Sequence, residues 1–233
     1  MRVAEAEILF VPGWLGSGPE HWQTRWQARL STARRVEMPG LSKPSLPAWV
    51  ETLHDAVAVA RRPVVFVAHS CGATAVAAAS AGFSPGAVAA AMLVSPPAPL
   101  RGPAVDAFVR ENAPHARVPV GFDEPPATRL PFPALLVASR NDPFCPFASA
   151  ERLARDWGAA LVDAGDAGHI NAAAGYGPWP EGLFRLAALL APYVPASIRA
   201  RGEQYFSTGR VAIVGADRTR VAAVVRGGKP YDV

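Results

Sequence analysis

The chain has 233 residues, half of them apolar and 18% charged, which suits one large α/β domain with a buried core and is short for two. Its formal charge of +4 is uneven: residues 1–198 balance sixteen basic against sixteen acidic side chains, and the excess sits in residues 199–233. A neutral main body excludes a nucleic-acid footprint there, while two cysteines in no metal-type spacing, Cys71 and Cys145, exclude a disulfide framework and a thiolate cluster.

The N-terminal "MRVAEAEILFVPG" holds a short apolar run, Ile8–Val11, that Pro12 and Gly13 break. No run approaches the ~20 residues of a membrane span, so a soluble, cytoplasmic protein is expected. Five more short apolar runs follow: Val36 with its neighbours, Val64–Ala68, Ala90–Val94, Leu135–Ala138 and Ala160–Val162. Runs without alternation suit strands buried on both faces, as in a parallel sheet under two helical layers.

Helical patterns lie between the runs. Trp22, Trp26 and Leu30 recur every four residues after Gly18-Pro19, and Trp49, Leu53, Val57 and Ala60 do so after Ser45. An alanine-rich stretch follows Ser70, Leu153 and Trp157 mark another face, and Leu183, Leu186, Leu189 and Leu190 mark the last. The alternation predicts about six mostly parallel strands with helices on both faces, joined by right-handed crossovers. The proline-rich segment 95–133 has room for one helix near Val105–Glu111 and is too short for a full lid. Residues 1–198 are therefore taken as one domain. In the basic extension 199–233, "VAIVGADRTRVAAVV" reads as two strands and a polar turn, either added to a sheet edge or held loosely.

The chemistry concentrates at three places. In "FVAHSCGATAVAAAS" a β-branched run passes into alanines across Ser70, leaving almost no loop. A serine on so tight a turn raises its hydroxyl above the sheet edge, with small Ala68 and Gly72 relieving the crowding. A helix N-cap is the plainer role for the same serine. As a nucleophile it needs a base. Among the histidines, His21 and His54 sit in helical patterns as surface or packing residues, His69 points away from its neighbour, and His115 has no supporting motif. His169, in the glycine-rich "DAGDAGHINAAAGYGPWPEG", returns over the sheet before the last helix. Asp142 in "NDPFCP" follows a strand and is the candidate to orient that base; Asp163 and Asp166 are its rivals. The order Ser70, Asp142, His169 is that of the nucleophile-elbow hydrolases. Gly13-Trp14, after the first run, can present a backbone N–H beside that of Cys71 to a developing oxyanion. Cys71 itself is a lesser candidate nucleophile, because the turn raises only one side chain.

Together "FVPGW", "HWQTRW", "AHSCG", "NDPFCP" and "GHINAAAGYGPWPEG" resemble the small serine hydrolases related to retinoblastoma-binding protein and their bacterial relatives, over about residues 6–192. The resemblance implies a compact α/β-hydrolase fold with a minimal lid. Ser70, Asp142 and His169 match its triad, and Trp14 and Cys71 its oxyanion donors.

The expected activity is a cofactor-independent, metal-free hydrolysis of small carboxylic esters through an acyl-enzyme. Trp14, Phe144 and Trp179 are expected to line a hydrophobic acyl site. Two alternatives stay open: a binding protein on a hydrolase scaffold, and an amide hydrolase with the same triad.

Overall fold

The computed structural model describes residues 6–30, 32–112, 115–191, 200, 204, 207–208, 211–216 and 221–225. Six strands form one sheet: β1 (Glu7–Val11), β2 (Ala33–Arg35), β3 (Val64–His69), β4 (Val88–Val94), β5 (Ala134–Ala138) and β6 (Ala160–Asp163). Their order is β2-β1-β3-β4-β5-β6, and every neighbouring pair runs parallel. Helices α1 (Trp22–Gln27), α2 (Leu46–Ala58), α3 (Cys71–Ala79), α4 (Pro103–Asn112), α5 (Phe147–Trp157) and α6 (Pro180–Leu190) accompany them.

The unbroken apolar runs are explained by two cores, one on each face of the sheet. Leu9, Val11, Phe66 and Leu93 face one core with Trp49 and Leu53 of α2 and Leu153 and Trp157 of α5. Their alternates Ile8, Phe10, Val65, Val67 and Met92 face the other, with Trp22 and Trp26 of α1 and Leu186 and Leu190 of α6. Residues that alternate along a strand point to opposite faces, so a strand covered on both sides must be apolar throughout.

Two boundaries differ from the sequence reading. The second strand is Ala33–Arg35 rather than a run at Val36, and all three of its residues are half-buried. It is an edge strand, so its arginines can reach polar partners: Arg34 pairs with Glu7 and the Ala56 carbonyl, and Arg35 donates to Gln27, Thr24 and the Ser17 carbonyl. Helix α1 begins at Trp22, later than Pro19, and ends before Leu30. The last two strands, β7 (Val211–Ala216) and β8 (Val221–Val225), pair antiparallel as a separate two-stranded sheet and do not extend the main one. The basic residues of the extension lie outside the described residues.

Strand order places the site. From β1 the chain moves outward to β2 and then returns to β3 on the other side. The carboxyl ends of β1 and β3 therefore diverge into a crevice, the usual ligand position in an open parallel sheet. The loop carrying Gly13 and Trp14 leaves β1 on one side of it, and Ser70 leaves β3 on the other. Among the described residues, no helix is long and apolar enough to cross a membrane.

Candidate active site

Ser70 sits between the last residue of β3 and the first of α3. Its φ is 53° and ψ −128°, a conformation that a side chain disfavours. Such strain costs about 1–3 kcal/mol and persists only where the surroundings enforce it. Here the enforcement is packing of two backbones. A Cβ on Gly72 would stand 2.5 Å from the Pro12 carbonyl oxygen and 2.7 Å from that of Val11; one on Gly13 would stand 2.7 Å from Ser70 Cβ. Only glycine lets the start of α3 come so close to the end of β1. Gly72→Ala is expected to destabilise the fold by about 1–3 kcal/mol, because both contacts are to backbone oxygens rather than to a side chain that could swing aside. A lowered urea midpoint at unchanged slope is the readout.

Ser70 occupies the N-cap position of α3, yet its side chain makes no capping bond. Its hydroxyl instead lies 3.0 Å from His169 Nε2. His169 Nδ1 is 3.0 Å from both carboxylate oxygens of Asp142. Asp142 Oδ1 also accepts the Phe144 N–H at 2.9 Å, which fixes the carboxylate's rotation. The three residues are only 7%, 9% and 7% exposed for Ser70, His169 and Asp142, so little water competes for these bonds. With Nδ1–H donating to the carboxylate, Nε2 is left as the acceptor for the serine hydroxyl.

The rivals of Asp142 are elsewhere. Asp163 is paired with Arg140, whose hydrogen bond holds the carboxyl below its ordinary range, and it accepts the Gly165 N–H at 2.8 Å. That pair shapes the turn after β6. Asp166 makes no bond to His169 among those described, and lies close enough to Arg140 only to influence its charge.

The His169 loop is tied down by groups that the sequence reading passed over. Asn141 Oδ1 accepts the Gly168 N–H at 2.6 Å, and Ser139 Oγ accepts the Ala167 N–H at 2.9 Å. The Trp22 indole donates to the Ile170 carbonyl at 2.9 Å. His69 does turn away from Ser70, but it reaches the His169 carbonyl with Nε2 at 2.9 Å. Burial, then the nearby charges of His21 and His169, keep His69 far below the ordinary imidazole range, so it is a neutral buttress.

Cys71 is a poor nucleophile in this setting. Burial pushes its thiol up to about 12, opposed by the Trp14 backbone N–H, the Ser70 hydroxyl and its own N–H. Those opposing groups place the Trp14 N–H and the Ser70 hydroxyl beside the Cys71 side chain. Cys71 is the first residue of α3, so its N–H has no intrahelical partner.

Ser70, His69 and His169 open onto a cavity of about 330 Å³. Its apolar wall includes Trp14, Leu100, Phe108 and Phe144, and the Phe108 ring lies 5.4 Å from Trp14 and 5.5 Å from Phe144. Phe108 comes from α4, the one helix of the proline-rich segment among the described residues, which thus forms the minimal cover. Trp179 is a correction to the expected lining. It is 4% exposed and stacks on Trp26 at 5.5 Å with Trp22 at 5.0 Å, inside the second core and away from the cavity. An indole in a glycine- and proline-rich loop reads as a site residue, but α1 provides two more indoles to bury it. Among the described residues no group of three or more histidine, cysteine or acidic side chains could hold a metal ion.

Comparison with known proteins agrees with this architecture. A YdeN-like hydrolase from Pectobacterium atrosepticum is 34% identical, with a TM-score of 0.69 over 83% of this chain and 95% of its own. The ydeN product of Bacillus subtilis is 21% identical with a TM-score of 0.60, over 80% of this chain and 99% of that one. The carboxylesterase CesB of Bacillus subtilis shares the fold at 16% identity and a TM-score of 0.58, over 80% of this chain and 83% of that one. None of the curated proteins matches the chain. The serine hydrolase family matches residues 8–188, which spans the sheet, all three motifs and the cavity; the chain belongs to that family.

Proposed function

We propose that the protein cleaves carboxylic esters of small molecules through an acyl-enzyme, with Ser70 as nucleophile, His169 as base and Asp142 as the residue that orients the base. The observation that carries this is the unbroken chain Ser70 Oγ–His169 Nε2 and His169 Nδ1–Asp142, each link 3.0 Å, at the mouth of an apolar cavity. A lone serine hydroxyl is a weak nucleophile at neutral pH, and an adjacent imidazole corrects this by removing the proton as the bond to carbon forms.

In the first half-reaction Ser70 Oγ attacks the ester carbonyl while its proton passes to His169 Nε2. Asp142 stabilises the resulting imidazolium without taking its proton. The negative charge that develops on the carbonyl oxygen is met by the backbone N–H groups of Trp14 and Cys71, the latter also at the positive end of α3. Collapse expels the alcohol, which receives the proton from His169. Water, deprotonated in turn by His169, then releases the acid. The Trp14, Phe108 and Phe144 rings suit an apolar acyl chain in the 330 Å³ space. No step calls for a metal or cofactor.

Purified protein with p-nitrophenyl butyrate is expected to release a burst of nitrophenol equal to the enzyme concentration, then turn over steadily. A folded protein that hydrolyses neither this ester nor its acetate homologue overturns the reading and leaves the binding-protein alternative.

A further inference from the structure

Ile170 follows the base in the chain and stands at φ 45°. A β-branched residue is a clear outlier in that left-handed region, because its branches crowd the backbone. A conformation of this kind persists only where the surroundings over-determine it. Here it separates two successive side chains: His169 reaches Ser70 Oγ at 3.0 Å, while Ile170 is fully buried in the second core.

Two ring N–H groups hold the turn. The Trp22 indole donates to the Ile170 carbonyl at 2.9 Å, and His69 donates from Nε2 to the His169 carbonyl at 2.9 Å. A carbonyl only accepts, so the His69 hydrogen is at Nε2. The ring is 4% exposed, and its burial beside His21 and His169 keeps it neutral, which fixes that single tautomer.

The His69 link differs from the others in what it ties together. His69 is the last residue of β3, which β1 and β4 pair on either side, and the next residue is Ser70. One strand end therefore carries the nucleophile and holds the backbone of its base. Asp142, from the loop after β5, grips the ring at Nδ1. That grip sets the ring's orientation, whereas the backbone links set where its Cα lies. Both are needed to keep Nε2 at hydrogen-bond distance from Ser70 Oγ. A shift of about 1 Å there can cost about 10²-fold in rate.

We infer that His69 is a positioning residue for the reaction, acting through His169: its Nε2–H holds the base's own carbonyl and so keeps the base within reach of Ser70. The inference rests on the Ser70–His169 pair of the mechanism proposed above and is independent of the ester. Position 69 then requires an N–H at the reach of Nε2, a demand that glutamine meets and asparagine does not.

The test is the rate at which a fluorophosphonate labels Ser70 in the full-length protein. Labelling needs the activated hydroxyl but neither an ester nor deacylation. His69→Gln sets its amide nitrogen as many bonds from Cα as Nε2 is, and is expected to label within about threefold of wild type, because the donor is restored. His69→Asn carries the same amide one carbon short of the carbonyl, and is expected to label about 100-fold more slowly. With p-nitrophenyl butyrate the loss should fall on kcat, with KM within about threefold. His69→Leu, which also lacks the donor, gives the same readout should the asparagine variant fail to fold. A folded asparagine or leucine variant that labels at the wild-type rate overturns the inference. So does a glutamine variant as slow as asparagine at equal melting temperature. The expected labelling pattern in a protein that hydrolyses no ester upholds the inference and overturns the ester-hydrolase reading alone. A folded wild type that takes no label overturns both.

Discussion

Ser70→Ala is expected to abolish fluorophosphonate labelling and to lower kcat for p-nitrophenyl butyrate by about 10⁴- to 10⁶-fold, since a nucleophile and its base act as one unit. The change should leave the fold in place. Alanine adopts the positive φ at position 70 no more easily than serine does, so the backbone strain is unaltered, and the main interaction lost is the hydroxyl's hydrogen bond to His169. A loss of about 1 kcal/mol is expected. Ser70→Gly is the matching control. It removes the same hydroxyl but relieves the conformation, and should melt above Ser70→Ala by an amount equivalent to about 1 kcal/mol. Two equally inactive variants of different stability separate chemistry from folding. Activity of Ser70→Ala within tenfold of wild type would move the nucleophile elsewhere. The neighbouring thiol is the one to examine first, although burial at Cys71 argues against it.

Much of this site is legible in the sequence because its parts sit where strands end. Ser70 joins an apolar run to alanines, and no loop fits between them; the turn follows from that alone. His169 lies in a loop after the last strand of the sheet, and Asp142 lies four residues after Ala138. Parallel strands bring all their carboxyl ends to one edge, so residues far apart in the chain converge. What was not legible depends on side chains meeting across the fold. Trp179 reads as a lining residue of the acyl site from its place in the motif, and the fold buries it against Trp22 and Trp26. His21 reads as a surface or packing residue and His69 as turned away from Ser70; that both also line the cavity depends on side chains of two different elements meeting at the crevice. The edge strand β2 ends one residue before Val36, and "ARR" carries no apolar signal, its arginines being satisfied by Glu7, Gln27 and backbone carbonyls.

Asp142→Asn is expected to lower kcat about 10⁴-fold, while Asp163→Asn stays within about threefold of wild type. The geometry at Asp142 gives the reason. One oxygen, Oδ1, accepts the Phe144 N–H at 2.9 Å, and both lie 3.0 Å from His169 Nδ1. An asparagine keeps its carbonyl oxygen on the Phe144 N–H, because the amide nitrogen there would set donor against donor. The Nδ2 group then faces His169, and Nδ1 must accept from it. The imidazole hydrogen moves to Nε2, where it points at the Ser70 hydroxyl that Nε2 should be accepting from. The base is held in place but in the wrong tautomer, a loss of about 10⁴ in kcat where this exchange has been made in a serine triad. Near-wild-type stability is expected, since the amide is isosteric and both hydrogen bonds persist with one reversed. Asp163 bonds to Arg140 and the Gly165 N–H on the exposed side of the same edge, so its amide loosens a turn and leaves His169 untouched. The discriminating measurement is kcat for the two variants beside their melting temperatures. A reversed order, with Asp163→Asn the more damaged at equal stability, would transfer the orienting role to Asp163 and require the loop between β6 and His169 to rearrange before catalysis.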